Sequence, residues 1–396
     1  MKLRLCLYLA AISAVLVAAA PSHTAKRPRY GGTLQVEIGA TVTSLDPAVA
    51  AANPEEAGAK AELDALLYDR RGEDGIFAGV AGSGAFRVSE WEAGKRAVLT
   101  ANADYREGRP FVDSVEIQMG RSAHDRVLDL ELKKTDFAQI PAEQARPAAD
   151  HGVRVSTSQP NELLALVFLR GGPGIEAARV REAIARCIDR AAIVNFILQK
   201  EGEPAGGLLP QWSSGTAFLF STETSARSAK EIRSQISASP KLVLGYDSAD
   251  RLEQSVAERI AVNAKEAGIS LTSRGISSPG NKPAHGTDIR PGEAVHVDAR
   301  LVRLRMLSPL PRVSLTAFIE TLGPMAGIVD SPLPQSASPE DVYYCERSIM
   351  NSGLIVPIVW MPQVYGISAR VRDWKQPAAS ETWPLAGVWL DSSDAH

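Results

Sequence analysis

Two long amphipathic stretches, each preceded by a short apolar run, constrain the fold of this chain most strongly. The stretches 177–198 and 249–267 repeat apolar residues at the three- and four-residue spacing of a helix with one buried face. Apolar runs at 163–169 and 241–246 are typical of strands and stand just before the two helices, and a shorter run follows at 269–271. The order strand, helix, strand predicts βαβ units and an α/β architecture.

The N-terminal half is expected to be richer in strands. Alternating apolar residues predict strands at 33–38, 85–91, 96–101 and 112–119, and the second and third of these form a hairpin. An Ala- and Glu-rich segment at 48–67 is a candidate helix, with Asn53-Pro54 as its start signal. Stretches rich in Gly, Pro or Ser are expected to be loops at 202–215, 275–292 and 330–339.

The first residues indicate export. Lys2 and Arg4 precede an apolar run over 5–20, and small residues follow at positions where a signal peptidase could cut, after Ala20 or Ala25. The run is short for a membrane span and polar sequence follows at once, so we expect a secretory signal over residues 1–25. A buried N-terminal helix is the alternative reading.

The cysteines bear on anchoring and stability. Cys6 lies at the start of the apolar run, whereas a lipoprotein cysteine would stand at its end, so we expect a soluble mature protein in the periplasm or outside the cell. Cys187 and Cys345 remain after cleavage, and two cysteines do not make a disulfide framework. A large apolar core must therefore supply stability, and the 45% hydrophobic fraction is ample for it.

The sequence gives little indication of a catalytic site, a metal site or a nucleic-acid-binding site. The formal net charge of -3 and the lack of a Lys/Arg stripe argue against nucleic acid. The six histidines are scattered, so no metal site is predicted, and no Gly-x-Ser-x-Gly nucleophile turn occurs. The glycine runs 79–84 and 171–174 lack the features of phosphate loops, and Cys187 is expected to be a buried, inert thiol. We predict no catalytic residue and no cofactor.

Several motifs occur in a characteristic order along most of the chain. They are Tyr30-Gly-Gly-Thr-Leu-Gln-Val36 with Thr43-Ser-Leu-Asp-Pro47, Gly82-Ser-Gly-Ala-Phe86, Arg179-Val-Arg-Glu-Ala183 running to Arg190, Leu354-Ile-Val-Pro-Ile358, and the segment 383–390. In this order they resemble the extracellular solute-binding proteins of family 5, the peptide, dipeptide and nickel receptors of bacterial ABC importers. No single motif is decisive, and the order of all of them carries the resemblance.

The resemblance implies a two-lobed periplasmic binding protein-like fold of type II. Lobe 1 would be discontinuous, formed by residues 26–169 and 353–396, and lobe 2 would span 170–352. The extra N-terminal subdomain of the family is largely missing, because only 48–80 fills its place. Such a protein, expected to be a monomer, binds a peptide-like or other small ligand by closure of the lobes and then docks on a membrane permease.

Three residues are candidates for ligand contact. Arg170 stands where the family usually has Asn, and its guanidinium suits an anionic group; a surface arginine paired with an acid is the alternative. Trp212 is either a wall of the cleft or an aromatic that pins its own loop. Ser308 lies in 307–311, the counterpart of a family stretch whose carboxylate meets the ligand's amino group; this chain has no carboxylate there, so free-amine peptides are doubtful ligands.

Two other functions remain open. One is an exported scaffold or sensor that kept the fold and lost the pocket, which the missing subdomain and missing carboxylate favour. The other is a secreted hydrolase, for which no triad, metal cluster or carboxylate pair stands out. Ligand binding separates the receptor from the scaffold, and a hydrogen-bonded Ser, His and carboxylate would be needed for the hydrolase.

Overall fold

The structure, a computed structural model, describes residues 27–49, 51, 54–71, 77–78, 82–169, 178–214, 224–237, 241–276, 296–328, 333–334, 336–378 and 382–391. The expected signal segment 1–25, the candidate Arg170 and the glycine turn 171–174 lie outside these ranges, as does most of the expected loop 275–292.

The described residues form fifteen strands. They are β1 (Thr33–Glu37), β2 (Arg70–Arg71), β3 (Phe77–Ala78), β4 (Phe86–Glu92), β5 (Arg96–Ala101), β6 (Ser114–Gln118), β7 (Phe137–Ile140), β8 (Arg154–Phe168), β9 (Glu203–Pro204), β10 (Lys241–Asp247), β11 (Ser270–Ile276), β12 (Ala299–Arg305), β13 (Ile355–Ile367), β14 (Val371–Arg372) and β15 (Trp389–Leu390).

Helices cover both faces of the main sheet. They are α1 (Pro54–Leu67), α2 (Ala123–Glu131), α3 (Ala145–Asp150), α4 (Ala178–Cys187), α5 (Arg190–Ala192), α6 (Gln211–Ser214), α7 (Ala226–Ser234), α8 (Arg251–Glu266), α9 (Pro311–Ala326) and α10 (Pro339–Ser352). Ten strands follow the order β11-β10-β12-β8-β13-β7-β1-β6-β5-β4, and β9 adds to β13. The prediction of an α/β fold is confirmed, with a mixed rather than a purely parallel sheet.

The first half of the sheet follows the predicted strands closely. β1 lies between β6 and β7 and is parallel to both, and β4, β5 and β6 form an antiparallel meander. The core under this half includes Phe137, whose ring stacks on that of Tyr365 with 5.1 Å between the centroids. The chain between α1 and β4 holds just the short pair β2 and β3 among its described residues, which agrees with the expected reduction of the subdomain.

The second half contains the βαβ unit that the sequence predicts. β10 and β11 pair in parallel, and α8 connects them. Asp250 begins α8 by accepting the backbone N–H groups of Leu252 and Glu253, and the helix ends before Gly268, which has a φ of +79°.

The helix predicted over 177–198 is wrong as a single element. α4 ends at Cys187, and Asp189 begins α5 by accepting the N–H of Ala192 at 2.9 Å. A wider helical turn over Ile193–Ile197 completes the segment. Arg190 donates to the carbonyl of Pro357 at 3.0 Å and so fixes α5 against β13. The apolar spacing hides this break, since an aspartate in mid-helix can satisfy backbone donors and start a new helix.

Two long strands, β8 and β13, join the halves of the sheet. They run antiparallel to each other, with β12 beside the end of β8 and β7 beside the end of β13. Their register shifts near the middle, where Pro160 lies opposite Pro362. Because proline has no N–H to donate, the ladder between β8 and β13 is weakened at this point.

Candidate functional site

A chain of hydrogen-bonded polar side chains crosses the centre of the sheet. Gln139 on β7 donates to Gln363 on β13, and Gln363 donates to Glu162 on β8 at 3.0 Å. Arg303 on β12 donates to Glu162 at 2.6 Å and to Asp250 at 2.7 Å. This polar chain of side chains therefore extends from the first half of the sheet, across the two joining strands, to the start of α8.

The topology explains why polar residues gather here. Gln139 lies near the carboxyl end of β7, and Asp250 follows the carboxyl end of β10. Each of these strands has a parallel neighbour. In open α/β sheets the carboxyl ends of strands form the crevice in which ligands bind. This edge, with the proline break beside it, is the candidate site.

Carboxylates outnumber arginines at this edge. Burial, together with the neighbouring Asp250 carboxylate, raises the pKa of Glu253 to about 8. Burial also raises the pKa of Glu143, whose Oε2 atom is buried without a hydrogen bond; the charge of Arg303 opposes this shift. Arg303 is thus already paired, and a preference for anionic ligands would rest on Arg170, outside the described residues.

A second ion pair lies close to this edge. Arg305, the last residue of β12, donates to Glu62 on α1 with 2.5 Å between Nη2 and Oε1. The other oxygen of Glu62 accepts the backbone N–H of Trp383 at 2.9 Å. This pair joins the N-terminal helix to the second half of the sheet.

Trp212 lies beside the proline break. It is on α6 with 36% of its surface exposed, and its indole N–H donates to the carbonyl of Pro160 at 2.8 Å. The ring is thus joined to β8 by one hydrogen bond and exposes part of its surface next to the candidate site. This position is compatible with both readings of Trp212, as a pin for its loop and as a wall of the site.

Ser308 is 1% exposed, and its polar atoms make local bonds. Its hydroxyl accepts the N–H of Leu310 at 3.2 Å, and its carbonyl accepts the hydroxyl of Ser314 on α9 at 2.9 Å. Two residues earlier, Met306 donates its N–H to Asn161 of β8 at 2.8 Å. Trp212 is therefore bonded to the proline break at the surface, whereas Ser308 is buried and bonded within its own segment.

Four paired charges were not predicted from the sequence: Glu62, Glu162, Arg303 and Arg305. A signal was present in Leu301-Val-Arg-Leu-Arg305, where arginines alternate with apolar residues. Arginines on one side of a strand that is otherwise apolar require partners, because burying an unpaired charge is costly.

Other features of the described residues add little chemistry. No group of three or more His, Cys, Asp or Glu side chains suited to a metal occurs among them, and none of the described helices could cross a bilayer. Cys187 and Cys345 are not bonded to each other, and burial raises the pKa of Cys187 to about 12, as expected of an inert thiol. A shallow surface depression of about 420 Å³ lies between the ends of α7 and α8, away from the polar chain.

The comparisons with known proteins agree on one family. Residues 33–290 match the family model described as bacterial extracellular solute-binding proteins, family 5 Middle. The chain is 30% identical over 125 residues to the oligopeptide-binding protein AppA of Bacillus subtilis, covering 31% of this chain and 23% of AppA. It is 25% identical over 221 residues to protein XP55 of Streptomyces lividans, covering 52% of this chain and 41% of XP55. The matches thus span less than half of these relatives.

The fold is similar to that of solved binding proteins. The crystal structure of the ABC transporter substrate-binding protein CtaP from Listeria monocytogenes superposes with a TM-score of 0.71 at 13% identity, covering 91% of this chain and all of that chain. At this identity the likeness concerns the fold alone. It confirms the two-lobed periplasmic binding protein-like architecture expected from the sequence.

Proposed function

This chain belongs to the bacterial extracellular solute-binding proteins of family 5, and we propose that it is the ligand-binding subunit of an ABC importer. The members of this family are binding proteins, and AppA is described as an oligopeptide-binding protein. We propose accordingly that this chain binds a peptide-like or other small ligand without converting it. Its partner would be a membrane permease, and the protein would act as a monomer in the periplasm or outside the cell.

The observation that carries this proposal is the pair of joining strands. β8 and β13 cross from one half of the sheet to the other, and their register breaks at Pro160 and Pro362, next to the polar chain around Arg303. A ligand that bridges the two halves at this point would stabilise one hinge angle over the others, which is how closure is coupled to binding.

The proposed division into lobes uses this break. Lobe 1 would comprise 26–169 and 353–396, and lobe 2 would comprise 170–352, so that β8 and β13 belong to lobe 1 by sequence and extend along lobe 2. β12 then belongs to lobe 2 and α1 to lobe 1. Contacts between these two elements are contacts between lobes.

The ligand class follows from the charged residues. The segment 307–311 has no carboxylate, so a free ligand amine would lack the partner that the family provides there. Arg170 would supply a positive charge where β8 ends. We therefore propose an acidic or N-blocked peptide as the preferred ligand, whose anionic group would pair with Arg170 rather than lie at the polar chain, where carboxylates outnumber arginines.

Thermal unfolding in the presence of candidate ligands tests the function. Acidic, neutral and N-acetylated oligopeptides and a nickel–histidine complex would each be added to the purified chain. A ligand present at about 100 times its Kd adds about 2.7 kcal/mol to the free energy of unfolding, which raises the midpoint by a few degrees. A folded protein whose midpoint none of these ligands shifts would contradict the receptor function and would favour the exported scaffold.

A further inference from the structure

A cluster of positive charges surrounds the shallow depression between the ends of α7 and α8. Lys230 and Arg233 of α7 and Lys265 of α8 line it, together with one carboxylate, that of Glu266. Lys230 and Lys265 are exposed, and neither ammonium group bonds to another residue that the structure describes. Arg233 is half-buried and donates to the backbone carbonyl of Gly268 at 3.1 Å. The charges of the two lysines are therefore available to a partner at the surface.

Two further cations extend this cluster. Lys241, the exposed first residue of β10, pairs across the parallel sheet with Ser270, which follows Gly268 by two residues. Arg179, near the start of α4, is exposed and donates to Oε1 of Gln235, the residue that follows α7, at 2.8 Å. These cations together form what we call the basic pole: Arg179, Lys230, Arg233, Lys241 and Lys265. The pole stands out because the formal net charge of the whole chain is -3.

The basic pole lies at the opposite end of lobe 2 from the candidate site. Helix α8 begins after Asp250, in the polar chain, and reaches Lys265 about 22 Å further along its axis. Strand β10 likewise runs from Lys241 to Asp247 over about 20 Å. Lobe 2 thus has carboxylates at the edge where ligand is expected and cations at its far end. A partner bound at the pole would leave the candidate site unobstructed.

The residue types favour a diffuse anionic surface over a single protein partner. Protein interfaces depend on aromatic and arginine anchors that fill pockets, and no aromatic side chain is among the residues that line the depression. Lysine ammonium groups are compact, hydrated point charges on flexible stems, which suit a fluid layer of phosphate headgroups. Arg227 and Glu231 of α7 pair with each other at 3.1 Å, so they do not change the charge balance.

We propose that the basic pole holds the protein on the anionic surface of a phospholipid membrane. The proposal concerns where the protein resides, goes beyond its ligand-binding function and does not depend on it. At an ionic strength of about 0.1 M the Debye length is about 10 Å, so a membrane attracts the pole, while the acids of the candidate site, about 20 Å away, are screened. The local positive charge therefore outweighs the net negative charge of the chain.

Sedimentation with phospholipid vesicles tests the proposal. Vesicles of equal parts phosphatidylglycerol and phosphatidylcholine should bind the protein at an ionic strength of about 0.1 M and release it at about 1 M, where the Debye length falls to about 3 Å. Vesicles of phosphatidylcholine alone should not bind it. Binding through the apolar segment 5–20 would differ, because it would occur on both kinds of vesicle and would survive the salt.

A double variant locates the binding surface. Each lysine near an anionic membrane strengthens binding about fivefold, so Lys230→Gln with Lys265→Gln should bind the acidic vesicles about thirtyfold more weakly. The matched control, Lys133→Gln with Lys375→Gln, removes the same charge from exposed positions of lobe 1 and should bind as the wild type does. Circular dichroism should be unchanged in both variants, because all four side chains are exposed.

Several outcomes would overturn the proposal. An equal loss of binding in the two double variants would show that only net charge matters. Wild-type protein that fails to bind the acidic vesicles, or that binds both kinds of vesicle equally and in high salt, would refute the membrane surface without any variant. Binding to polyglutamate with none to the acidic vesicles would assign the basic pole to an acidic protein instead. None of these results depends on whether a peptide ligand binds, so the receptor function stands or fails separately.

Discussion

Glu346 offers a sharp test of how burial sets the stability of this protein. It lies on α10 with 1% of its surface exposed, and its Oε1 accepts the N–H of Leu209 at 3.0 Å. This bond ties α10 to the segment that leads into α6 and Trp212. Burial raises the pKa of Glu346 from its usual 4.5 to about 7, although the N–H groups of Leu209 and Leu208 oppose the rise.

The size and the sign of the effect on the free energy of unfolding follow from this pKa. A rise from 4.5 to about 7 favours the protonated form of the folded protein by about 3 kcal/mol, at 1.36 kcal/mol per pKa unit. Because the folded-state pKa is the higher one, this contribution to stability is fully present below pH 4.5 and is lost as the pH rises through about 7. At pH 8.5 the buried carboxylate is charged and the contribution is absent.

The perturbation is Glu346→Gln, which keeps an acceptor oxygen but cannot ionise. We expect the variant to resemble the wild type near pH 4.5, where Glu346 is protonated, and to be more stable by about 3 kcal/mol at pH 8.5. Urea unfolding at pH 4.5, 6, 7 and 8.5 measures both free energies. Other buried carboxyls contribute to the slope of both proteins and cancel in the difference.

A control on the same helix should show the opposite dependence. Asp341 is exposed, and bonds from the backbone and side chain of Ser338 lower its pKa. Its stabilising effect is present above its usual pKa and is lost as the pH falls, so Asp341→Asn should cost stability at pH 7 but not in strong acid. If the difference between Glu346→Gln and the wild type were the same at every pH, the assignment of the raised pKa to Glu346 would be refuted.

Three further substitutions test the candidate site and the packing around it. Trp212→Ala should weaken binding of any peptide ligand about tenfold in calorimetry and leave the thermal midpoint nearly unchanged; a large loss of stability with unaltered affinity would mean that the ring only pins its loop. Arg170→Gln should reduce binding of acidic peptides and spare neutral ones, and an equal loss for both would indicate general destabilisation. Gly84→Ala should lower the free energy of unfolding by about 2 kcal/mol in urea, because its Cβ would lie 2.5 Å from the backbone of Leu66 and Leu67; an unchanged value would refute this close approach.

The sequence predicted best the elements whose periodicity extends over many residues. The hairpin β4–β5 and the unit β10–α8–β11 lie where the alternation and the apolar stripe indicated. In β5 and α8 the pattern arises because one face is buried, so the spacing of apolar residues records the contact directly, whereas β4 fully buries only Phe86 and was indicated by its hairpin turn. The same logic failed over 177–198, since the stripe continued across the polar residue Asp189 that interrupts the helix.

Strand β13 and the helices α9 and α10 were not predicted from the sequence. All thirteen residues of β13 are buried, so its sequence has no alternation, and its length is set by pairing with β8, β7 and β9 rather than by its own pattern. The helices α9 and α10 were also missed, although Ser338 and Asp341 form a capping box at the start of α10. Long-range pairing, which a single chain does not display, determines these parts of the fold.

The candidate site was only partly accessible to sequence reasoning for a related reason. Trp212 was found because an aromatic in a Gly- and Pro-rich loop stands out, and the structure places it beside Pro160. The partner of Arg303 is Glu162, 141 positions away, and only the pairing of β12 with β8 brings the two together. An ion pair between distant segments leaves no local spacing to recognise.

Helix α1 shows how polar contacts can fix the position of an element. It buries four charged side chains, of Glu56, Lys60, Glu62 and Asp64, so apolar contact alone cannot determine its orientation. Glu56 and Lys60 bond to the preceding turn, and Glu62 bonds to Arg305, so rotating the helix by one residue would break all three sets of bonds. Burial raises the pKa of Asp64 to about 6, opposed by the charge of Lys60, and so disfavours its charged form. A helix held by such directional bonds presents Glu62 to Arg305 of β12 in one geometry, which apolar packing alone would not specify.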